Sequence, residues 1–133
     1  MDTKGIITKI SRQNFSDTYR KLKETIDNNP NLNVMLELDH QANARKNGLE
    51  LNPSKLIIFG NPNLGTPLMQ SAQTLGLDLP QKVLVHENGS GIVHLSYNDP
   101  QYLKNRHDVS DADEILSKVA SALDKITTVS ADT

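Results

Sequence analysis

Apolar positions recur along the chain with two periods. Phe15, Tyr19, Leu22 and Ile26 follow at spacings of four, three and four, one face of a helix. Asn14 offers its N-cap with Asp17 three residues on, and Asn28-Asn29-Pro30 ends it. Ile115, Val119, Ala122 and Ile126 form a second stripe, predicting a helix over 111–127 capped at Ser110 or Asp111. The polar tail after Thr127 is expected to fray. Short β-type runs, alternating over Val34 to Leu38 and continuously apolar over Leu56 to Phe59, predict strands over 5–11, 34–39, 55–60, 82–87 and 92–97. Val34, Leu36 and Leu38 are expected on one face of the second. The third, Lys55 to Phe59, is apolar on both faces and therefore central. Asn88-Gly89-Ser90-Gly91 is the clearest hairpin signal. Shorter helices are predicted over 40–47, capped by Asp39 and stopped by Gly48, and over 66–75, with Thr66 as N-cap and Pro67 first in the helix. Asp99-Pro100 opens a turn or short helix to about Arg106.

Hairpin-joined strands with long helices near both ends predict an α+β fold. Its two layers would be a mainly antiparallel sheet of about five strands and two long helices on one face. The strand–helix alternation in the middle leaves an α/β sandwich with some parallel strands as the alternative. No repeat or linker divides the chain, so one domain is expected over 1–133, with its core at about 5–127.

Charge and composition then narrow the partners. Fourteen Lys and Arg against sixteen Asp and Glu give a net charge of −2 without a basic block, which disfavours nucleic acid. The absence of cysteine excludes disulfides, a thiolate nucleophile and a Cys-ligated zinc. No run approaches the roughly 20 apolar residues of a membrane span. Met1-Asp2-Thr3-Lys4-Gly5 lacks the basic region and apolar core of a signal peptide. A soluble cytoplasmic protein is the expectation.

Three stretches carry candidate chemistry. "FGNPNLGTPLM", residues 59 to 69, has the strand, two glycines and helix of a phosphate cradle. It lacks the P-loop lysine, and Pro67 removes a helix N–H, so Gly60 to Thr66 is expected to bind no nucleotide tightly. "LDHQANARKNGLEL", residues 38 to 51, sets Asp39 beside His40 with Asn43 a turn on; Asp39 also has the ordinary work of an N-cap. "LSYNDPQYLKNRHD", residues 95 to 108, carries Tyr97, Asn98, Asp99 and His107. Asp39, Asn61 and Asn98 each end a strand, so His40, Asn61, Asp99 and His107 are expected in one pocket if those ends meet. His86 and His94 flank the hairpin turn and would oppose one another across a three-residue loop, with an exposed pair favoured over a metal site.

These stretches resemble a known family. D-H-x-x-N-A, F-G-N-P-x-x-G-T-P-L-M, the L-D-L-P turn and S-Y-N-D-P-x-Y-L followed by R-H are similar to the prokaryotic family known as domain of unknown function 302, over roughly residues 5 to 125. The resemblance implies a compact α+β domain of the TATA-binding-protein-like class, in the order β-α-β4-α, and a homodimer. It carries over Asp39, His40, Asn43, Asn61, Thr66, Tyr97, Asn98, Asp99 and His107 as ligand-binding candidates, with no agreed activity, cofactor or metal. The leading expectation is a small-molecule or ion-binding domain with a polar pocket at strand ends. The alternative is a homodimeric interaction module. An enzyme using Asp39 with His40, or Asp99 with His107, comes third.

Overall fold

The computed structural model describes residues 4–132; Met1–Thr3, at the segment read above for a signal peptide, and Thr133, the last of the expected tail, lie outside them. The described chain runs β1 (Ile6–Ile10), α1 (Phe15–Asp27), β2 (Asn33–Asp39), α2 (His40–Lys46), β3 (Ser54–Gly60), α3 (Pro62–Ser71), a 3-10 turn (Gln73–Leu77), β4 (Gln81–Glu87), β5 (Val93–Asn98), α4 (Pro100–Arg106) and α5 (Asp113–Asp132). The strands form one five-stranded sheet in the order β1-β5-β4-β3-β2. All four pairings are antiparallel, so the arrangement with parallel strands does not occur. The fold is α+β, and β3 and β4 are internal strands, as their apolar character requires.

Strand pleating sorts the side chains. Ile57 and Phe59, Val83 and Val85, and Val93, Leu95 and Tyr97 are buried in a core with Tyr19, Leu22 and Ile26 of α1 and Leu116, Val119, Leu123 and Ile126 of α5. Lys9 ties β1 to α5, donating to the Asp124 carboxylate at 2.6 Å and to Thr128 Oγ1 at 2.8 Å. The alternate residues, among them Leu36, Leu38, Leu56, Ile58, Leu84, His86, His94 and Ser96, project from the opposite side and are half-buried or exposed.

Several details differ from the expected elements; among them α5 starts at Asp113, past the expected caps Ser110 and Asp111. Val34 and Leu36 do not share a face: a bulge at Met35 shifts the register, so Val34 pairs with Phe59 but Leu36 with Ile58. The helix expected from Thr66 begins one turn earlier. Asn61 is its N-cap, accepting from Asn63 N at 3.0 Å, and Pro62 takes the first position, leaving Pro67 inside the helix. Finally, α5 does not fray after Thr127 but continues to Asp132. Ser130 and Ala131 are buried there, and the Ala131 carbonyl accepts from Arg12 N at 2.8 Å.

Candidate functional site

Three of the motif polar residues share one local task. Asp39 Oδ1 accepts from Ala42 N at 2.9 Å, Asn61 Oδ1 from Asn63 N at 3.0 Å, and Asp99 Oδ1 from Gln101 N at 2.9 Å. Each caps the helix that leaves a strand, satisfying an N–H that the first turn would leave unpaired.

The antiparallel sheet divides these corners between its two ends. Asp39 pairs with Lys55 at the start of β3, whereas Asn61 follows Gly60 at its finish. At about 3.3 Å per residue, the two corners lie roughly 17 Å apart along the strand. His40 and Asn43 go with Asp39, on α2. Asn61, Thr66, Asn98 and Asp99 stand at the other end, where β3 and β5 both finish. The expected single pocket of His40, Asn61, Asp99 and His107 therefore does not form, because consecutive antiparallel strands end on opposite sides. Tyr97 points into the core with its hydroxyl against Thr127, and burial raises its pKa.

His107 finds a different carboxylate from the one anticipated. Its Nε2 meets Asp78 Oδ2 at 2.5 Å, and Nδ1 lies 2.8 Å from Thr74 Oγ1. With the ring proton on Nε2, Nδ1 accepts from the threonine hydroxyl. Arg106 Nη1 grips both Asp78 oxygens at 3.1 and 3.0 Å. The R-H and L-D-L-P motifs are thus one ion cluster, with the His107 side chain 4% exposed. It fastens the end of α4 to the residue before Leu79 and Pro80, whose peptide bond is cis.

That fastening matters because Leu79 and Pro80 form one wall of a cavity of about 280 Å³. Phe59, Leu68, Val119, Leu123 and Ile126 supply its buried surface. Gly60, Asn61, Pro62, Leu64, Gly65, Thr66 and Met69 line it from the α3 side, with Leu32 just before β2 and Met35 within it. Half of its 18 lining residues come from the stretch 59–69 that resembled a phosphate cradle. Gly60 to Thr66 is a helix start and not a glycine loop. The cavity is lined by apolar side chains with Asn61, Thr66 and Gln81 as its polar members. The reading by residue type missed it, since Leu, Met and Val at helical spacing signal core and cavity wall alike.

The two hairpin histidines are in register and stacked, their ring centroids 5.3 Å apart and their planes 19° from parallel. They are half-buried instead of exposed, because the loop from Asn88 to Ile92 has an odd number of residues and returns both to the same side. His86 Nε2 lies 2.8 Å from Ser96 Oγ, which in turn lies 2.8 Å from Thr8 Oγ1. Burial, then the neighbouring His94, lowers the His86 pKa. Among the described residues no group of three or more His, Asp and Glu is placed to hold a metal.

The profile of the family described as "Domain of unknown function DUF302" matches residues 7–126. The chain belongs to this family. It is also similar to a crystal structure of an uncharacterized conserved DUF302 protein from Bacillus stearothermophilus, with a TM-score of 0.83 at 17% identity, covering 94% of this chain and 97% of that one. Over 114 residues it is 41% identical to part of the fluoride-specific ion channel FluC 1 of Brucella suis, covering 86% of this chain and 44% of the relative. FluC 2 of Brucella melitensis matches at the same identity over 42% of its length. The DUF302 chain thus spans less than half of these relatives. None of its described helices is long and apolar enough to cross a membrane.

Proposed function

We infer that this DUF302 chain is a binding domain for a small, mainly apolar molecule, held in the cavity between α3 and α5. The observation that carries this reading is the lining: half of it comes from the F-G-N-P-x-x-G-T-P-L-M stretch, one of the motifs that carry the family resemblance. Asn61 and Thr66 serve at its edge, while Asp39, His40, Asn43, Asn98, Asp99 and His107 act as caps, surface or supports. Indole is a suitable first probe, being neutral and apolar. Indole should shift amide resonances in 59–69, 79–81 and 119–126. Shifts scattered over the surface, or none at millimolar indole, would reject the cavity as a binding site.

A second reading concerns association. The side of the sheet that carries Leu36, Leu38, Leu56, Ile58 and Leu84 has Lys82 as its charged residue, and the Lys82 ammonium is turned to the Asp78 and Pro80 carbonyls at 3.1 Å. Five strands spaced about 4.8 Å apart and about 20 Å long present roughly 500 Å². Two copies face to face would bury about 1,000 Å², the lower bound for a specific interface. A homodimer through this side is the partner arrangement that we favour. Sedimentation equilibrium at micromolar concentration should give twice the 14.7 kDa chain mass; a monomer would remove this reading.

The match to part of two channel proteins favours a setting beside a membrane. In those relatives a segment similar to this chain shares a polypeptide named as a fluoride channel. We place the present chain in the cytoplasm as an accessory domain to such a channel. Co-expression with a fluoride channel that lacks the segment should give co-purification in detergent. Separate elution would count against it.

A further inference from the structure

The cavity lining restricts what charge a ligand can carry. Among its 18 lining residues there is no Asp, Glu, Lys, Arg or His. An ionic group drawn onto this apolar lining gives up part of its water and meets no counter-charge, which costs more than placing a neutral polar group there. Apolar lining alone would leave no preference among neutral molecules, but the polar members supply one. Thr66 and Gln81 make no side-chain hydrogen bond within the described residues, so both are available to a ligand. Asn61 uses Oδ1 on Asn63 N, which leaves its amide N–H pair as donors. Thr66 lies exposed at the edge, and Leu68 and Leu123, each 1% exposed, lie at the floor. Thr66 thus offers a hydroxyl at the rim of an apolar interior.

Size follows from the volume. At roughly 30 Å³ per water-sized group, a space of about 280 Å³ holds about nine non-hydrogen atoms.

Resting on the cavity reading, we propose that the ligand class is neutral amphiphiles of about nine non-hydrogen atoms, an apolar body with one hydroxyl, carbonyl or amide, to the exclusion of fatty carboxylates and amines of the same length.

Three eight-carbon probes separate the cases: 1-octanol, octanoate and octylammonium, titrated by calorimetry at about pH 7.5, where both ionic heads are charged. Octanol should bind at least roughly tenfold more tightly than either ion. Ala122→Phe, which projects a ring into the cavity from α5, should abolish octanol binding while circular dichroism remains that of the parent. Octanoate or octylammonium binding as tightly as octanol would overturn the ligand class but leave the cavity reading standing. No binding by any of the three, or octanol binding unchanged in Ala122→Phe, would overturn both.

Discussion

His107 and Asp78, 29 residues apart in the chain, meet at 2.5 Å between Nε2 and Oδ2. The contact brings two helical segments together just before the cavity wall at Leu79 and Pro80. Asp78→Asn keeps the shape and removes the charge that both His107 and Arg106 engage. Because the His107 side chain is almost fully covered, the loss should be about 1–3 kcal/mol of stability by urea denaturation. Thr74→Val, which removes a hydroxyl from an exposed residue, should cost much less. Equal losses in the two variants would mean that the carboxylate contributes nothing beyond ordinary packing.

Gly5 has φ +81°, and a Cβ there would lie 2.1 Å from Tyr102 Cγ. Gly5→Ala should therefore destabilise by about 1–3 kcal/mol through backbone strain, with the ring collision added. Tyr102→Ala in the same chain should recover the collision and leave the strain. A Gly5→Ala protein that melts like the parent would show that β1 enters the sheet by another path.

The lowered pKa of His86 sets a pH dependence. A histidine that is harder to protonate when folded binds fewer protons than the unfolded chain at pH values below about 6.5. Its stabilising contribution is complete above that value and is lost as pH falls through the folded pKa. Melting temperature should thus fall on acidification from about pH 7.5 to pH 5.5, and less steeply in His86→Gln. An identical slope in both proteins would assign the acid sensitivity to other groups.

Leu36 is 50% exposed and pairs with Ile58 on the side of the sheet away from α1. In Leu36→Lys a charge should break the proposed face-to-face pairing and shift sedimentation towards the monomer, while a monomeric chain would fold as before. A dimer indifferent to this substitution must use another surface.

Local chemistry made the elements legible. Asn14 and Asp39 were readable as caps, and each accepts the expected backbone N–H. The start of α3 was ambiguous because Asn61-Pro62 and Thr66-Pro67 both satisfy the cap-then-proline pattern, and nothing local ranks them. The Met35 bulge has no residue signature. The site was less legible than the fold. That Asp39 and Asn61 face opposite ends follows from the antiparallel order, which the sequence already favoured. The pairing of His107 with Asp78 links positions too distant for any periodicity to register, and the cavity draws its lining from segments as far apart in the chain as 59–69 and 119–126.

The bulge at Met35 has a further consequence, for what happens outside the monomer. It lies in β2, an edge strand of the sheet. A straight outer edge is a template on which another chain can add a strand, and then another, until fibrils grow. One residue out of step bends that edge and breaks the run of free N–H and C=O groups. The irregular residue therefore acts as a guard against aggregation, and regularising β2 by deleting Met35 should lower the concentration at which the protein precipitates.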